Sequence, residues 1–280
     1  LRGPLPTSGE AGATSRENER MLMNWIKRGP AALGLAALAS CATVPQDSAG
    51  GQGPALWRVS DADTTVYLFG TIHLLPQNSQ WRTPALETAI QGSQSLYLET
   101  LVDAANPQEL AAQMAALGFQ NGLPPLAQRI DPAKRPALEA AIAKTGVPRA
   151  LFDRMETWAA AFTLLGVQFK TLGVEADQGV ETVLKQTFAA AGKPVGQLET
   201  NREQLLFFDT LPEKAQRELL EGSIENPQAM RTKFNEMLRA WLTGDVDAIA
   251  ATFNEDLQNS PELKAALLTR RSANWSNWIH

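Results

Sequence analysis

Residues 178–199 read QGVETVLKQTFAAAGKPVGQLE, and the pattern changes partway through. As far as Ala191 the apolar residues Val180, Val183, Leu184 and Phe188 recur at helical spacing. Gly192-Lys193-Pro194 then stops the helix, because glycine leaves the helical region freely and proline has no N–H to continue it. Residues 195–199 (VGQLE) follow as a short strand that closes on a carboxylate, Glu199. A helix running straight into a strand is the alternation of mixed α/β chains.

The same ending occurs upstream. Residues 95–99 (SLYLE) read as a strand closing on Glu99, and residues 84–92 before it read as a helix with Thr83 as N-cap and Pro84 at its first position. Earlier still, residues 56–60 (LWRVS) and 64–69 (TTVYLF) flank Asp61-Ala62-Asp63 and predict a β-hairpin that runs into Gly70-Thr71-Ile72-His73. Helical spacing predicts helices over 107–117, 132–144, 150–165, 203–211, 213–222, 227–242, 245–257, 261–269 and 273–279. Leu151, Phe152, Met155 and Trp158, at helical spacing, read as core. The expected fold class is α/β or α+β: a small mixed sheet surrounded by many helices, in one domain over residues 55–280 with no internal linker or repeat.

Composition narrows the functional classes. A chain that is 44% hydrophobic and 20% charged belongs with ordinary globular proteins. Its 25 basic and 30 acidic residues give a net charge of −5, and no basic stripe with interleaved aromatics appears. Nucleic-acid binding lacks its electrostatic footprint, so no such partner is expected.

The first residues read as an address. Residues 1–20, rich in Gly, Ser, Pro, Glu and Arg, are expected to be upstream translation, with the start at Met21 or Met23. Residues 21–40 read as a lipoprotein signal peptide. Lys27 and Arg28 precede a short apolar run over 31–39, about half the ~20 residues a membrane-spanning helix requires. The run ends at Leu38-Ala39-Ser40-Cys41, which resembles the bacterial lipobox. Cys41 is the single cysteine, so it has no internal disulfide partner and is expected to carry the lipid. Each buried CH₂ of such an acyl chain contributes about 0.8 kcal/mol of membrane affinity. Ala42 favours the outer membrane over the inner, by resemblance to enterobacterial sorting, and residues 41–54 read as a tether that leaves the domain facing the periplasm.

His73, Glu99 and Glu199 share a structural context, since each lies at or just past the end of a predicted strand. Strand ends line the crevice of open α/β sheets. Gly70, three residues before His73, lets the backbone turn so that the imidazole can point there. Imidazole with carboxylates is ligand chemistry for divalent Mn, Co or Zn, and for Fe. A metal so held activates water and polarises a carbonyl, and a second Glu can act as general base. The bland alternatives are a structural histidine and glutamates that cap helices or pair with cations; residue types alone leave both open.

Several motifs, in order, resemble the TraB/GumN family, which includes the TIKI proteases. ALWRVSDADTTVYLFGTIHLLP (residues 55–76) matches its opening hairpin with a G-x-x-H motif, placing Gly70 and His73. LYLET matches the strand ending in an essential Glu, here Glu99. GVEADQGVETVLKQTFAAAGKPVGQLET (residues 173–200) matches the helix followed by G-K-x-V-x-x-L-E-T, placing Glu199. LFFDTLP and LLTRRSANWSNWIH match later segments, the second placing Arg270 or Arg271 ahead of Trp275. The resemblance implies a metal-dependent hydrolase, most simply a peptidase, with His73 and Glu99 as metal ligands and Glu99, Glu199 and Arg271 as catalytic residues. It also implies a second G-x-x-H on a strand after the Trp-containing helix. The sequence stops at His280, so that strand is expected to be missing by truncation. The rival class is a non-catalytic envelope lipoprotein that binds a peptide or polysaccharide.

Overall fold

A computed structural model describes residues 53–102, 107–257 and 260–279. Cys41, the expected signal peptide and most of the tether fall outside them. The hairpin pairs β1 (Leu56–Ser60) with β2 (Thr65–Phe69). Its turn is held by Asp61, whose carboxylate accepts the N–H groups of Asp63 (3.2 Å) and Thr64 (2.8 Å). Hairpin residues Trp57–Leu68 belong to one compact unit, and the chain from Phe69 onwards belongs to another.

In the larger unit the strands are short. β3 (Leu75–Pro76) pairs antiparallel with β5 (Val174–Glu175), and β4 (Leu96–Leu98) pairs parallel with β6 (Val195–Gln197). The expected α/β class, small sheets among many helices, is what the described residues form, with the strands divided among three two-stranded sheets. The parallel pair aligns Leu96 with Val195, Tyr97 with Gly196 and Leu98 with Gln197, which brings the two strand ends level. Parallel strands need a long crossover, and the intervening chain supplies it as helices.

Helix α1 (Pro84–Gly92) starts as predicted, with Thr83 accepting the Leu86 N–H. α2 (Pro107–Gly118) and α3 (Arg135–Thr145) follow, the latter preceded by a 3₁₀ turn at Pro132–Lys134. The helix expected over 150–165 is split into α4 (Arg149–Phe152) and α5 (Thr157–Leu172). The cause is Arg129, 5% exposed, whose guanidinium donates to the carbonyls of Pro124, Asp153 and Met155. Asp153 and Met155, both inside the break, are thereby held around one buried cation. Met155 also bridges to Phe119. Then α5 plunges into the core, with every residue from Thr157 to Ala161 buried. Phe152, Met155 and Trp158 are core as expected, whereas Leu151 faces solvent.

α6 (Val180–Ala190) packs on β4 and β6 and feeds Val180, Leu184 and Phe188 into a core with Leu75, Trp81, Leu86, Ile90 and Trp241. α7 (Asn201–Asp209) opens with a capping box in which Thr200 and Glu203 satisfy each other's backbone N–H, an arrangement whose hydroxyl alone contributes about 1 kcal/mol. α8 (Glu213–Gly222), α9 (Pro227–Thr243) and α10 (Val246–Leu257) complete the helical layer. Last come α11 (Pro261–Lys264), a π-helical segment (Ala265–Thr269) and α12 (Arg270–Ile279).

Candidate active site

Two strand ends and the last helix make the first half of the site. Beyond the β4–β6 ladder the Leu198 N–H donates to the Leu98 carbonyl and the Glu199 N–H to the Glu99 carbonyl, both at 2.9 Å. The two glutamates therefore leave adjacent rungs. Arg271, at the start of α12, reaches both. Its Nε donates to the two oxygens of Glu199 (3.2 and 3.1 Å), and its Nη2 to Glu199 Oε2 (3.0 Å) and Glu99 Oε2 (2.7 Å). Trp275, one helical turn on, donates Nε1 to Glu199 Oε1 (3.0 Å) and lays its ring under the guanidinium at 4.7 Å. Gln204 from α7 donates weakly to both carboxylates.

Burial assigns different work to the two glutamates. The Glu199 side chain is 6% exposed, with both oxygens taken, and serves as the anchor. Glu99 is 33% exposed, and its Oε1 has no partner among the described residues. Burial alone pulls the Arg271 pKa down, but its bonds to Glu199 and Glu99 outweigh this and hold it above its ordinary value. The guanidinium is permanently charged, and its Nη1 makes no hydrogen bond among the described residues.

His73 makes the second half. Phe69, Trp81 and Trp241 stack with centroids 6.2–6.3 Å apart, and Trp241 Nε1 donates to the Gly70 carbonyl at 2.8 Å. The turn at 70–73 is thereby pinned to the core. The first turn of α6 closes on it from the other side, as the Val180 N–H donates to the Ile72 carbonyl at 3.1 Å. Gly179 is required there. A Cβ at that position would overlap the His73 carbonyl oxygen and lie 2.8 Å from its carbon.

This approach places Glu181, side chain 17% exposed, against His73. His73 Nδ1 lies 2.8 Å from Glu181 Oε1, and the Thr71 hydroxyl donates to the same oxygen. The hydrogen bond to Glu181 raises the His73 pKa above its ordinary value, and the charge of Glu99 raises it further while that of Arg271 lowers it. The two halves thus share one electrostatic field. Burial pushes the Glu181 carboxyl up, but His73 and Thr71 together hold it below the usual carboxylate range.

The structure brings Glu99, Glu199 and Arg271 into direct contact and sets His73 within their field. Of the residues not singled out from the sequence, Glu181 is the most consequential. An acidic residue in the first turn of a helix is ordinary, so nothing in the sequence marked it. A metal is a separate matter. Among the described residues no three His, Cys, Asp or Glu side chains stand together as an ion's ligands. His73 Nδ1 is committed to Glu181, and Glu199 to Arg271 and Trp275. His73 and Glu99 alone do not complete the expected Mn, Co or Zn site.

A family model described as the TraB/PrgY/gumN family matches residues 55–280, the span holding every one of these groups. No curated protein and no solved structure matches the chain.

Proposed function

Because the chain belongs to the TraB/PrgY/gumN family, we propose that it is a hydrolase that cleaves peptide bonds between His73 and the Glu99–Arg271 pair. One observation carries this reading. His73 is an exposed imidazole, 69% of its side chain open, whose Nδ1 is tied to a sheltered carboxylate. That bond places the proton on Nδ1 and leaves Nε2 with a lone pair facing solvent, the tautomer a general base requires.

The chemistry follows from these groups. Nε2 takes a proton from water as the water oxygen bonds to the carbonyl carbon of the scissile amide. The imidazolium that forms is stabilised by Glu181. Arg271 offers Nη1 to the carbonyl oxygen as charge develops there, while Glu199 and Trp275 hold the guanidinium in place. His73 then gives its proton to the amide nitrogen, the C–N bond breaks, and an acid and an amine leave.

Anchoring in the bacterial envelope through acyl chains on Cys41 is part of the proposal, supported by the Leu38-Ala39-Ser40-Cys41 motif. A divalent metal is the alternative to this mechanism: His73 Nε2 and Glu99 Oε1 would be its donors, and His73 would then not serve as the base. Equilibrium dialysis against Mn, Co and Zn, with His73→Ala as comparison, tests it; equal uptake by both proteins removes His73 as a ligand. The hydrolase reading is tested by digesting a peptide library in ¹⁸O-water. New carboxyl termini carrying the label are expected, and an unchanged library contradicts the proposal.

A further inference from the structure

The face of α12 that carries Arg271 does not end at Trp275. Arg271, Trp275 and Trp278 are spaced i, i+4, i+7 and lie on one side of the helix. Trp278 meets Tyr97 of β4, with ring centroids 4.4 Å apart and planes inclined by 56°. Tyr97 lies in β4, and Glu99 follows that strand directly, two residues on. Its ring lies directly over Gly196, where any Cβ would come within 2.5 Å of it. The two rings are thus held as an inclined pair beside the catalytic crevice, yet each is about half exposed, 48% for Tyr97 and 49% for Trp278. Large aromatics held open to solvent beside a reactive site are in position to meet a ligand.

Charge selects among ligands. Arg271 is shared by Glu99 and Glu199, so this cluster keeps one negative charge in excess, and the exposed Glu99 Oε1 has no partner among the described residues. Two aromatic faces and a free carboxylate oxygen are the elements that recognise an organic cation.

We infer that Tyr97, Trp278 and Glu99 form a subsite for a lysine or arginine side chain of the substrate peptide. This rests on the peptide-hydrolase reading and names its substrate class. The cationic head lies against the Tyr97 and Trp278 rings and donates to Glu99 Oε1, which places the adjoining backbone beside His73. An apolar side chain of equal length fills the space but leaves the carboxylate unmatched.

The test reads binding without turnover. Calorimetry with the whole protein compares peptides that differ only by lysine or norleucine and whose bonds are N-methylated against cleavage. Lysine is expected to bind about tenfold more tightly. Tyr97→Ala and Trp278→Leu, both at exposed positions, should each shrink that preference without moving the Tm. Gly196→Val, which displaces the Tyr97 ring, should also shrink the preference. Equal affinity for the two peptides overturns the inference, as does a preference that survives all three substitutions. Tighter binding of an uncharged oligosaccharide, lost in the same variants, overturns it too. Lysine preference without cleavage in the ¹⁸O experiment would sink the hydrolase reading alone, and cleavage without lysine preference would sink the subsite alone.

Discussion

The Glu199 N–H donates to the Glu99 carbonyl at 2.9 Å, so the two carboxylates that share Arg271 start from adjacent rungs of one parallel ladder. Their separation is thereby set by backbone geometry rather than by side-chain freedom. The ion triad is consequently stiff, and removing its cation is costly. Arg271→Ala leaves Glu199 buried without a counter-charge, for which a loss of about 3–5 kcal/mol is expected. Urea unfolding measures it. Arg271→Lys should fall between the two, since an ammonium supplies charge but not the planar fork. A loss under 1 kcal/mol for Arg271→Ala would mean that the carboxylates are already solvated.

Activity should depend on pH through His73. The base is the neutral imidazole, so kcat/KM rises as pH rises through the His73 pKa, which the Glu181 bond holds above its ordinary 6.5. Glu181→Gln removes that stabilisation of the protonated ring, and the midpoint should move to lower pH. A pH–rate profile of both proteins checks this. An unmoved or raised midpoint contradicts the pairing.

Two glycines should respond oppositely to alanine. At Gly179 the added Cβ strikes the His73 carbonyl, a backbone group that cannot step aside. Gly179→Ala should destabilise by about 1–3 kcal/mol and reduce activity, because the first turn of α6 must back away from the 70–73 turn. Gly166 sits inside α5 with nothing near its missing Cβ. Gly166→Ala should stabilise by about 0.4–1 kcal/mol. Thermal unfolding of both variants is a direct comparison.

Cys41 is expected to carry lipid. Feeding cells a palmitate analogue should label the protein, and Cys41→Ser should lose both the label and membrane association. A soluble, unlabelled wild-type protein would refute the anchoring proposal.

Much of the fold was legible because its signals are local. Thr83 with Pro84 marked the start of α1, and Gly192-Lys193-Pro194 separated α6 from β6. What stayed hidden depends on distant partners. The break before α5 is imposed by Arg129, and β3 and β5, two residues each, are too short to show a period. The site divides the same way. Strand ends pointed to His73, Glu99 and Glu199, and family motifs pointed to Arg271. Glu181 reaches His73 only because Gly179, with no Cβ, lets the first turn of α6 approach the His73 backbone, a tertiary contact that carries no local sequence signal.

The most direct measurement is peptide cleavage by His73→Gln beside the unaltered protein, with Tm recorded for both. His73 is exposed, so the substitution should leave the Tm in place. If its Nε2 is the base, kcat/KM should fall by about 10²–10⁴-fold. Cleavage within twofold of the unaltered protein, at equal Tm, would contradict the assignment of His73 as the reacting base.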